Sequence, residues 1–545
     1  MVNDWNVGAR STIVSYDVVS QPLGLLDVED ERAMRGEAGK AKRALGALGG
    51  VAAGVVVCAL CGGFGGGAPA EVGLSQQGAV CLGILSWAIL WWVAGVLPEF
   101  ATGLLMAGAF VVLGGIPTQT ALAAFSTSTW WLLVAAFALG AGMKRSGLMK
   151  RMALGIVRRL PRSFAAQAAG IMAAGTLIGP LVPSMAAKAS MLAPISMSIG
   201  ESLGYEPKGR QMQGLFLAMM TGVRNAGPAF ISASVTGYAL LGLLPAAVQE
   251  EFNMLHWLVA ALPWLAVVTL LNLGLIIALY RPRAGEGRRT DATAEGSPAS
   301  DSAQPEPCAA RVPPAASAEG AAASDPAIAA AAPGTPMSRE ERRMLAIIVA
   351  TVILWATQPV HGIPSHVVAL VAMVVMVAAG LLDKRSLKTD IAWDSLIFIG
   401  TVIGLADVFA YAGIDSWVVG AAGPLLGHLA GNPYALLLGI AVSTIALRFV
   451  IVSEMAYVNI VMVFLVPLSV SAGISPWVVG FAVYATVHPW FVLYQNPIYL
   501  AAFYSVDGAM VRHADMAKYC VLYMLTCVAG LLASVPYWQL LGLLG

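Results

Sequence analysis

The sequence Gly-Pro-Leu-Val-Pro-Ser at residues 179–184 decides how this chain folds, because it interrupts an apolar run that extends from 164 to 200. One crossing of a bilayer takes about 20 residues, so the whole run is too long for a single span. Proline lacks an N–H and clashes with the preceding turn, so a helix breaks at this stretch. We predict a helical hairpin over 164–200 that enters and leaves the membrane on the same side.

A corresponding interruption occurs in the second half, where the apolar run 434–472 breaks just before Ser453. From Ser184 to Asn225 is 41 residues, and Asn225 lies in a run that Gly227 and Pro228 interrupt. From Ser453 to Asn496 is 43 residues, so the spacing from Ser to Asn is similar in the two halves. Paired interrupted helices that open from opposite faces are typical of inverted repeats in secondary transporters. Irregular backbone at membrane depth lines a cavity or is buried, so the breaks predict the binding site.

The composition places most of the chain in lipid. Hydrophobic residues make up 58% of the 545 residues and charged residues 11%, against about 25% charged in soluble proteins. A secreted enzyme, a cytosolic enzyme and a nucleic-acid binder are therefore excluded. The six cysteines are interpreted as small core residues without metal or redox use. The net charge of +1 gives no indication of partners.

Changes in composition divide the chain into four segments. Residues 1–45 are polar, and we expect them to form a cytoplasmic N-terminal segment without a cleavable signal peptide. The first transmembrane half is 46–280 and the second is 343–545. Residues 281–342 are rich in Ala, Pro, Ser and Gly, which predicts a disordered cytoplasmic linker without a folded regulatory domain.

The distribution of Lys and Arg predicts the orientation. Basic residues precede the first span and recur in 144–162, so both regions are expected to be cytoplasmic. Four expected outside loops hold no Lys or Arg, namely 64–77, 247–254, 359–363 and 415–433. We predict an all-α protein of the cell membrane with about eleven transmembrane helices, two re-entrant hairpins and the C-terminus outside. Tryptophans such as Trp257 and Trp264 are interpreted as members of interface belts.

Three polar residues mark the tips of the hairpins. Ser184 and Ser453 stand at helix ends, where unpaired N–H groups favour an anion and unpaired carbonyls favour a cation; the alternative is that each serine only caps a helix. Lys188 follows one turn after Ser184, and a buried ammonium at membrane depth is usually functional or paired. It could attract an anionic substrate or replace a coupling cation. The alternative is a structural pair with Glu454 or Asp407.

Three further polar residues lie close to the expected breaks of the facing helices. Arg224 matches a carboxylate or an oxyanion in a two-pronged geometry, and its alternative role is to bind the free carbonyls of a broken helix. Asn225 and Asn496 could each bind the ligand or form hydrogen bonds with the unpaired backbone groups of a broken helix. Their pairing across the two halves favours the binding site.

Glu454 is the least expected residue at a tip that should bind an anion. An ionised carboxylate would repel a dianion. It could instead bind a cation, carry a proton, or form a salt bridge with Arg448 or Lys188. Asp407 is interpreted as a structural partner, and His488 as a packed, hydrogen-bonded residue.

The tip sequences Ser184-Met-Ala-Ala-Lys188 and Ser453-Glu-Met-Ala-Tyr457 resemble the divalent anion/sodium symporter family of the ion transporter superfamily. The resemblance covers roughly 78–541 without the linker. Members carry Ser-Asn-Thr at each tip; here each Ser is kept and each Asn and Thr is replaced. Asn225 and Asn496 match the Asn that ends the family's Pro-Pro-Asn-like segments. The resemblance implies that tips and facing breaks hold sodium ions and a substrate carboxylate, and that the protein is a homodimer.

The expected function is secondary active transport, by symport or exchange, of small organic anions such as di- or tricarboxylates through alternating access. The alternatives are an inorganic oxyanion such as sulfate, a non-transporting membrane sensor or a membrane-embedded enzyme. No catalytic motif is found, so we expect no enzyme activity, no catalytic residue and no cofactor. Met185, Ala186 and Met455 remove oxygens where the resemblance implies sodium ligands. A weak sodium site is therefore the only metal site expected, and Glu454 could couple transport to protons.

Overall fold

The computed structural model describes residues 28–63, 73–157, 161–282, 336–451, 453–489 and 496–544. Within these ranges the fold is all-helical, with no β-strand. Most of the linker 281–342 and of the segment 1–45 lies outside the described residues, as does Val452 at the second break.

The first half contains twelve α-helices among the described residues. They are α1 (Val28–Leu60), α2 (Gln76–Ala94), α3 (Glu99–Val112), α4 (Thr118–Ala121), α5 (Ser128–Ser146), α6 (Leu148–Val157), α7 (Phe164–Leu177), α8 (Met185–Ser202), α9 (Arg210–Ala229), α10 (Val235–Leu243), α11 (Ala246–Glu251) and α12 (Met254–Tyr280). Short 3-10 helices at Ala123–Ser126, Gly179–Leu181 and Ile231–Ala233 connect them.

The second half adds eleven α-helices in its described part. They are α13 (Arg339–Ala356), α14 (Gln358–His361), α15 (Ser365–Ala378), α16 (Lys384–Thr389), α17 (Trp393–Ala412), α18 (Ile414–Ala430), α19 (Pro433–Leu447), α20 (Glu454–Ser471), α21 (Pro476–Val487), α22 (Pro497–Tyr504) and α23 (His513–Leu540).

Six helices of the described chain are long and apolar enough to cross a membrane: Gln76–Ala94, Phe164–Leu181, Met254–Tyr280, Trp393–Ala412, Glu454–Ser471 and His513–Leu540. The pair α5 and α6 bends by 73° and makes a seventh if it is one broken span. Five further apolar helices are shorter, between 10 and 17 residues. The prediction of an all-α, multi-pass architecture is therefore confirmed.

Both apolar runs that were predicted to be interrupted contain two helices with a break between them. In the first, α7 ends at Leu177 and α8 begins at Met185, with the 3-10 helix Gly179–Leu181 in the gap. In the second, α19 ends at Leu447 and α20 begins at Glu454. The breaks occur where Pro180 and Pro183 deprive the backbone of donors, and where Ser453 begins a new helix by capping it.

The break after α9 lies later than the sequence indicated. Asn225 is still helical, and α9 continues through Pro228 to Ala229 before the 3-10 helix Ile231–Ala233 begins. Pro228 cannot donate to the carbonyl of Arg224, but it stands one residue from the helix end, where few intrahelical bonds remain to be lost. The Trp257 indole N–H donates to the Pro228 carbonyl at 2.8 Å and holds this end of α9 against α12.

The interpretation of Trp257 and Trp264 as interface residues is wrong. Both side chains are fully buried. Trp257 packs edge-on against Trp477 with ring centroids 5.6 Å apart, and the Trp264 N–H donates to the Cys527 carbonyl at 3.2 Å. Hydropathy does not distinguish a tryptophan that faces lipid from one that faces another helix.

Candidate functional site

The two predicted tip serines both cap helices. The Ala187 N–H donates to Ser184 Oγ at 3.3 Å, and the Ala456 N–H donates to Ser453 Oγ at 3.2 Å. The Ser453 side chain also lies close to the Glu99 carboxylate at the start of α3. Sequence reasoning missed Glu99, because nothing in the local sequence connects it with a residue of the second half.

Lys188 is fully buried and holds two helix breaks together. Its ammonium donates to the Ala233 carbonyl at 2.7 Å and to the Gly179 carbonyl at 3.3 Å. Gly179 belongs to the break in the first hairpin and Ala233 to the break after α9. Backbone carbonyls, rather than Glu454 or Asp407, are its partners among the described residues. The ammonium thus takes a position that suits a cation.

Arg224 is the centre of a second buried cluster. Its guanidinium binds Glu454 in a two-pronged geometry, with 2.8 Å from Nη2 to Oε1 and 3.3 Å from Nη1 to Oε2. Nη2 also donates to the His488 carbonyl. These contacts join α9, the first residue of α20 and the residue that follows α21. Arg224 therefore connects the facing breaks of the two halves through both a carboxylate and a free carbonyl.

His488 completes this cluster. Its Nδ1 lies 2.8 Å from Glu454 Oε1 but is not aligned for a hydrogen bond, and Nε2 has no hydrogen-bond partner among the described residues. The imidazole packs edge-on against Tyr484, with ring centroids 4.6 Å apart. A Cβ at Gly227 would collide with His488 Nε2 and Met185 Cε, so only glycine permits this close approach of α9. The sequence signal for His488 was its position before Pro489, close to the second break.

Arg448 lies on the opposite side of the second break. It is almost fully buried, and its Nη1 donates to the Ile451 carbonyl at 2.6 Å. It also interacts electrostatically with Glu454. Arg448 thus stabilises the backbone just before the tip, while Glu454 forms an ion pair with Arg224, a partner that sequence reasoning did not consider.

The two predicted asparagines are engaged with helix packing and helix ends. Asn225 Oδ1 accepts from the Tyr523 hydroxyl at 2.8 Å, and its Nδ2 donates to Thr269 Oγ1 at 3.3 Å. Asn496 caps α22 by accepting from the Tyr499 N–H at 2.9 Å. Asn225 and Asn496 therefore serve helix packing and capping. Arg224 and Glu454, two others of the seven predicted site residues, contact each other directly.

A polar network that sequence reasoning missed fastens α9 to α12 and α23. The hydroxyls of Thr221 and Tyr519 are 2.6 Å apart, and Tyr519 donates to Asn272 Oδ1 at 3.0 Å. Asn272 Nδ2 in turn donates to Thr526 Oγ1 at 2.7 Å. All four residues are buried, so the network fixes the rotation of the helix that carries Arg224.

The arrangement of helices is similar to that of two solved membrane proteins. It is similar to the YdaH transporter of Alcanivorax borkumensis, with a TM-score of 0.52 and 17% identity over 83% of this chain and 98% of that one. It is also similar to MtrF of Neisseria gonorrhoeae, with a TM-score of 0.50 and 14% identity over 79% of this chain and 85% of that one. At these identities the similarity concerns the fold alone.

Residues 55–544 match the family described as the sodium:sulfate symporter transmembrane region, and the chain belongs to that family. The resemblance to divalent anion/sodium symporters is thereby confirmed. The chain is 28% identical to chloroplastic dicarboxylate transporter 2 of Spinacia oleracea, over 65% of this chain and 57% of that protein. It is 23% identical to the L-tartrate/succinate antiporter of Escherichia coli K12, over 65% of this chain and 66% of that protein. The chain thus spans less than two thirds of the length of these curated relatives.

Proposed function

We propose that the chain is a secondary active transporter of small organic anions, with di- and tricarboxylates as its substrates. The observation that carries this proposal is the two-pronged contact of buried Arg224 with the Glu454 carboxylate. It supports carboxylate recognition between the facing breaks, since a guanidinium fork matches the two oxygens of a carboxylate. Relatives named as dicarboxylate transporters and L-tartrate/succinate antiporters favour the same substrate class.

Two buried polar atoms support a binding site beside this pair. Arg224 Nε and His488 Nε2 lack hydrogen-bond partners among the described residues. A buried donor without a partner is costly, so a ligand oxygen would satisfy Arg224 Nε, and a ligand hydroxyl would satisfy His488 Nε2 in either tautomer. The Glu454 side chain is 17% exposed, whereas Arg224 is fully buried. A substrate carboxylate would therefore approach from the side of Glu454 and compete with it for Arg224.

We further propose that transport needs little or no sodium. The Lys188 ammonium contacts two backbone carbonyls at the first tip and would replace a coupling cation there. Met185, Ala186 and Met455 offer no oxygen, and a hard cation needs several oxygen ligands. When substrate displaces Glu454 from Arg224, the freed carboxylate would take up a proton. Transport would then proceed by exchange or with protons as the coupling ion.

The membrane arrangement that we propose has about eleven spans and two re-entrant hairpins, over 164–200 and 434–472, in two inverted halves, 46–280 and 343–545. The observed breaks in both runs support the hairpins. The N-terminus and the linker would be cytoplasmic, in the cell membrane, because Lys and Arg cluster there. Two copies of the chain would form a homodimer. In each copy, alternating access would move the hairpins against the other helices.

An inorganic oxyanion such as sulfate is the second candidate substrate, because the family description names sulfate. The guanidinium of Arg224 also binds a tetrahedral oxyanion in a two-pronged geometry.

Uptake into proteoliposomes tests these proposals. Labelled succinate, citrate and sulfate are offered with and without a sodium gradient, to wild type, to Arg224→Gln and to the control Arg512→Gln, whose side chain is exposed. We expect uptake of a carboxylate that Arg224→Gln abolishes and Arg512→Gln preserves. Uptake of sulfate alone selects the second candidate. Folded wild-type protein that transports none of the three anions, in uptake or in exchange, contradicts the proposed class of substrate.

A further inference from the structure

Basic side chains collect at one end of helices α13, α15 and α16. Arg342 and Arg343 lie in the first turns of α13. Lys384 and Arg385 begin α16, and Lys384 stands five residues after Ala379, the C-cap of α15. All four basic side chains are exposed. Arg343 Nη1 donates to the Ala379 carbonyl at 3.0 Å, so its guanidinium lies at the C-terminal end of α15. We call the surface of these four residues the basic end.

The carboxylates near the basic end provide little compensation for its charge. Glu341 forms an ion pair with a residue of α6 at 2.8 Å. Asp383 and Asp390 lie 3.4 and 3.6 Å from Arg145 of α5, and Glu340 is exposed. Among the described residues, none of these carboxylates forms an ion pair with the basic end. The basic end therefore keeps an excess of positive charge.

Exposed apolar side chains continue from the basic end along α13 and α15, which pack against each other. These side chains are Val349, Ile353 and Leu354 on α13 and Val371, Val374 and Val375 on α15. Leu354 lies eleven residues after Arg343 and on the same face of α13. Eleven residues of helix measure roughly 16 Å, which is about half the thickness of the hydrocarbon core of a bilayer. The surface thus has a cationic end and an apolar length that matches one leaflet.

A second copy of the chain is a poor partner for this surface. Two copies related by a two-fold axis along the membrane normal present the same patch to each other. Arg343 and Lys384 would then face their own counterparts, and like charges repel. An anionic group is the complementary partner, because a guanidinium fork matches the oxygens of a phosphate. Charge complementarity therefore favours an anionic lipid over a protein copy.

We propose that the basic end and the apolar face beside it form a binding site for one anionic phospholipid. The phosphate lies among Arg343, Lys384 and Arg385, and the acyl chains lie along α13 and α15. Basic residues near a membrane surface attract anionic headgroups, whereas the apolar face accepts the chains of any lipid. The headgroup charge thus selects the lipid. The site is separate from the cluster around Arg224 and does not depend on the transported anion.

Native mass spectrometry of the full chain in detergent counts the bound lipids. The purified protein is titrated with phosphatidylglycerol and, in parallel, with phosphatidylcholine that has the same palmitoyl and oleoyl chains. No carboxylate substrate and no sulfate are present, so the result is independent of the proposed transport function. We expect one phosphatidylglycerol per chain to bind saturably, with a half-saturating concentration about tenfold below that of phosphatidylcholine.

Two double variants separate this site from general attraction to a basic protein. Arg343→Gln/Lys384→Gln should raise the half-saturating concentration of phosphatidylglycerol about tenfold, because it removes two charges that face the phosphate. The matched control Arg512→Gln/Lys518→Gln removes the same charge from exposed positions elsewhere and should leave that concentration unchanged. Thermal unfolding without added lipid shows whether both variants are folded.

A phosphatidylglycerol with a photoreactive diazirine in its acyl chain locates the site on the wild-type protein. Peptides that contain Leu354 or Val375 should carry the label, and excess unlabelled phosphatidylglycerol should remove it. Equal binding of phosphatidylcholine, or unchanged binding in Arg343→Gln/Lys384→Gln, would overturn the proposal. Label on neither helix would also overturn it and would indicate that a second copy covers the face. Inorganic phosphate that displaces the photoreactive lipid as effectively as unlabelled lipid does would show a site for a free anion instead.

Discussion

Arg224 and Glu454 form a two-pronged ion pair although 230 residues separate them in the chain. The pair joins a helix of the first half to the tip of the second hairpin. A carboxylate of the protein itself thus occupies the guanidinium that would receive a substrate carboxylate. This relationship makes the pair both a structural contact between the halves and the expected point of competition with substrate.

The stability of the protein should depend on both members of this pair. Arg224→Gln leaves Glu454 without its main partner and should cost about 3 kcal/mol, because an uncompensated buried charge is expensive. The double variant Arg224→Gln/Glu454→Gln should be more stable than Arg224→Gln alone. Thermal unfolding of the purified variants measures the coupling, and strictly additive effects would show that the two side chains do not interact.

Lys188→Ala should abolish anion transport while leaving membrane insertion intact. The substitution removes the ammonium from the carbonyls of Gly179 and Ala233. The exposed Lys208→Ala serves as the control and should transport like wild type. Uptake is compared at equal amounts of inserted protein. Wild-type rates in Lys188→Ala would mean that the ammonium only ties the two breaks together.

Transport should respond to pH through Glu454 and should depend weakly on sodium. The groups that face this carboxylate are Arg224, His488 and, across the tip, Arg448. Substrate that displaces Glu454 from Arg224 favours its protonation, so uptake should rise as the pH falls. Glu454→Gln should flatten this response. Steep, saturable sodium dependence, together with a pH response unchanged in Glu454→Gln, would contradict the proposed coupling.

Gly227→Ala should disturb the site more than other helix glycines do. The added methyl group would collide with His488 Nε2 and Met185 Cε, and overpacking of this kind costs about 1–3 kcal/mol. The matched control is Gly274→Ala, where no atom outside the helix lies within 4 Å of the added methyl. Thermal unfolding and uptake are measured for both. Equal effects of the two substitutions would indicate that the approach of α9 to His488 is not tight.

The side of the membrane on which two basic segments lie tests the proposed hairpins. Arg162→Cys and Lys208→Cys, at opposite ends of the first broken run, should both react with an impermeant thiol reagent from the cytoplasmic side only. A background without the native cysteines keeps the labelling specific. Reaction from opposite sides would show that residues 164–200 cross the membrane once rather than turning back.

The sequence by itself determined the membrane class and the positions of the breaks in the two hairpins. Eleven per cent charged residues cannot cover a water-exposed surface of a chain this large. The break around Pro180 and the capping roles of Ser184 and Ser453 were predictable, because prolines and N-caps act within a few residues of themselves. The break near Asn225 was predicted about four residues early, since a proline close to a helix end is tolerated within the helix.

Only the tertiary structure decided which polar groups meet. Lys188 contacts the Ala233 carbonyl, and Arg224 meets Glu454 from the other half. Such partners depend on how helices pack, and many long-range pairings satisfy the same sequence equally well. The burial of Trp257 was hidden for a related reason: lipid and protein interiors are both apolar, so hydropathy places a residue in the membrane without saying which of the two it faces.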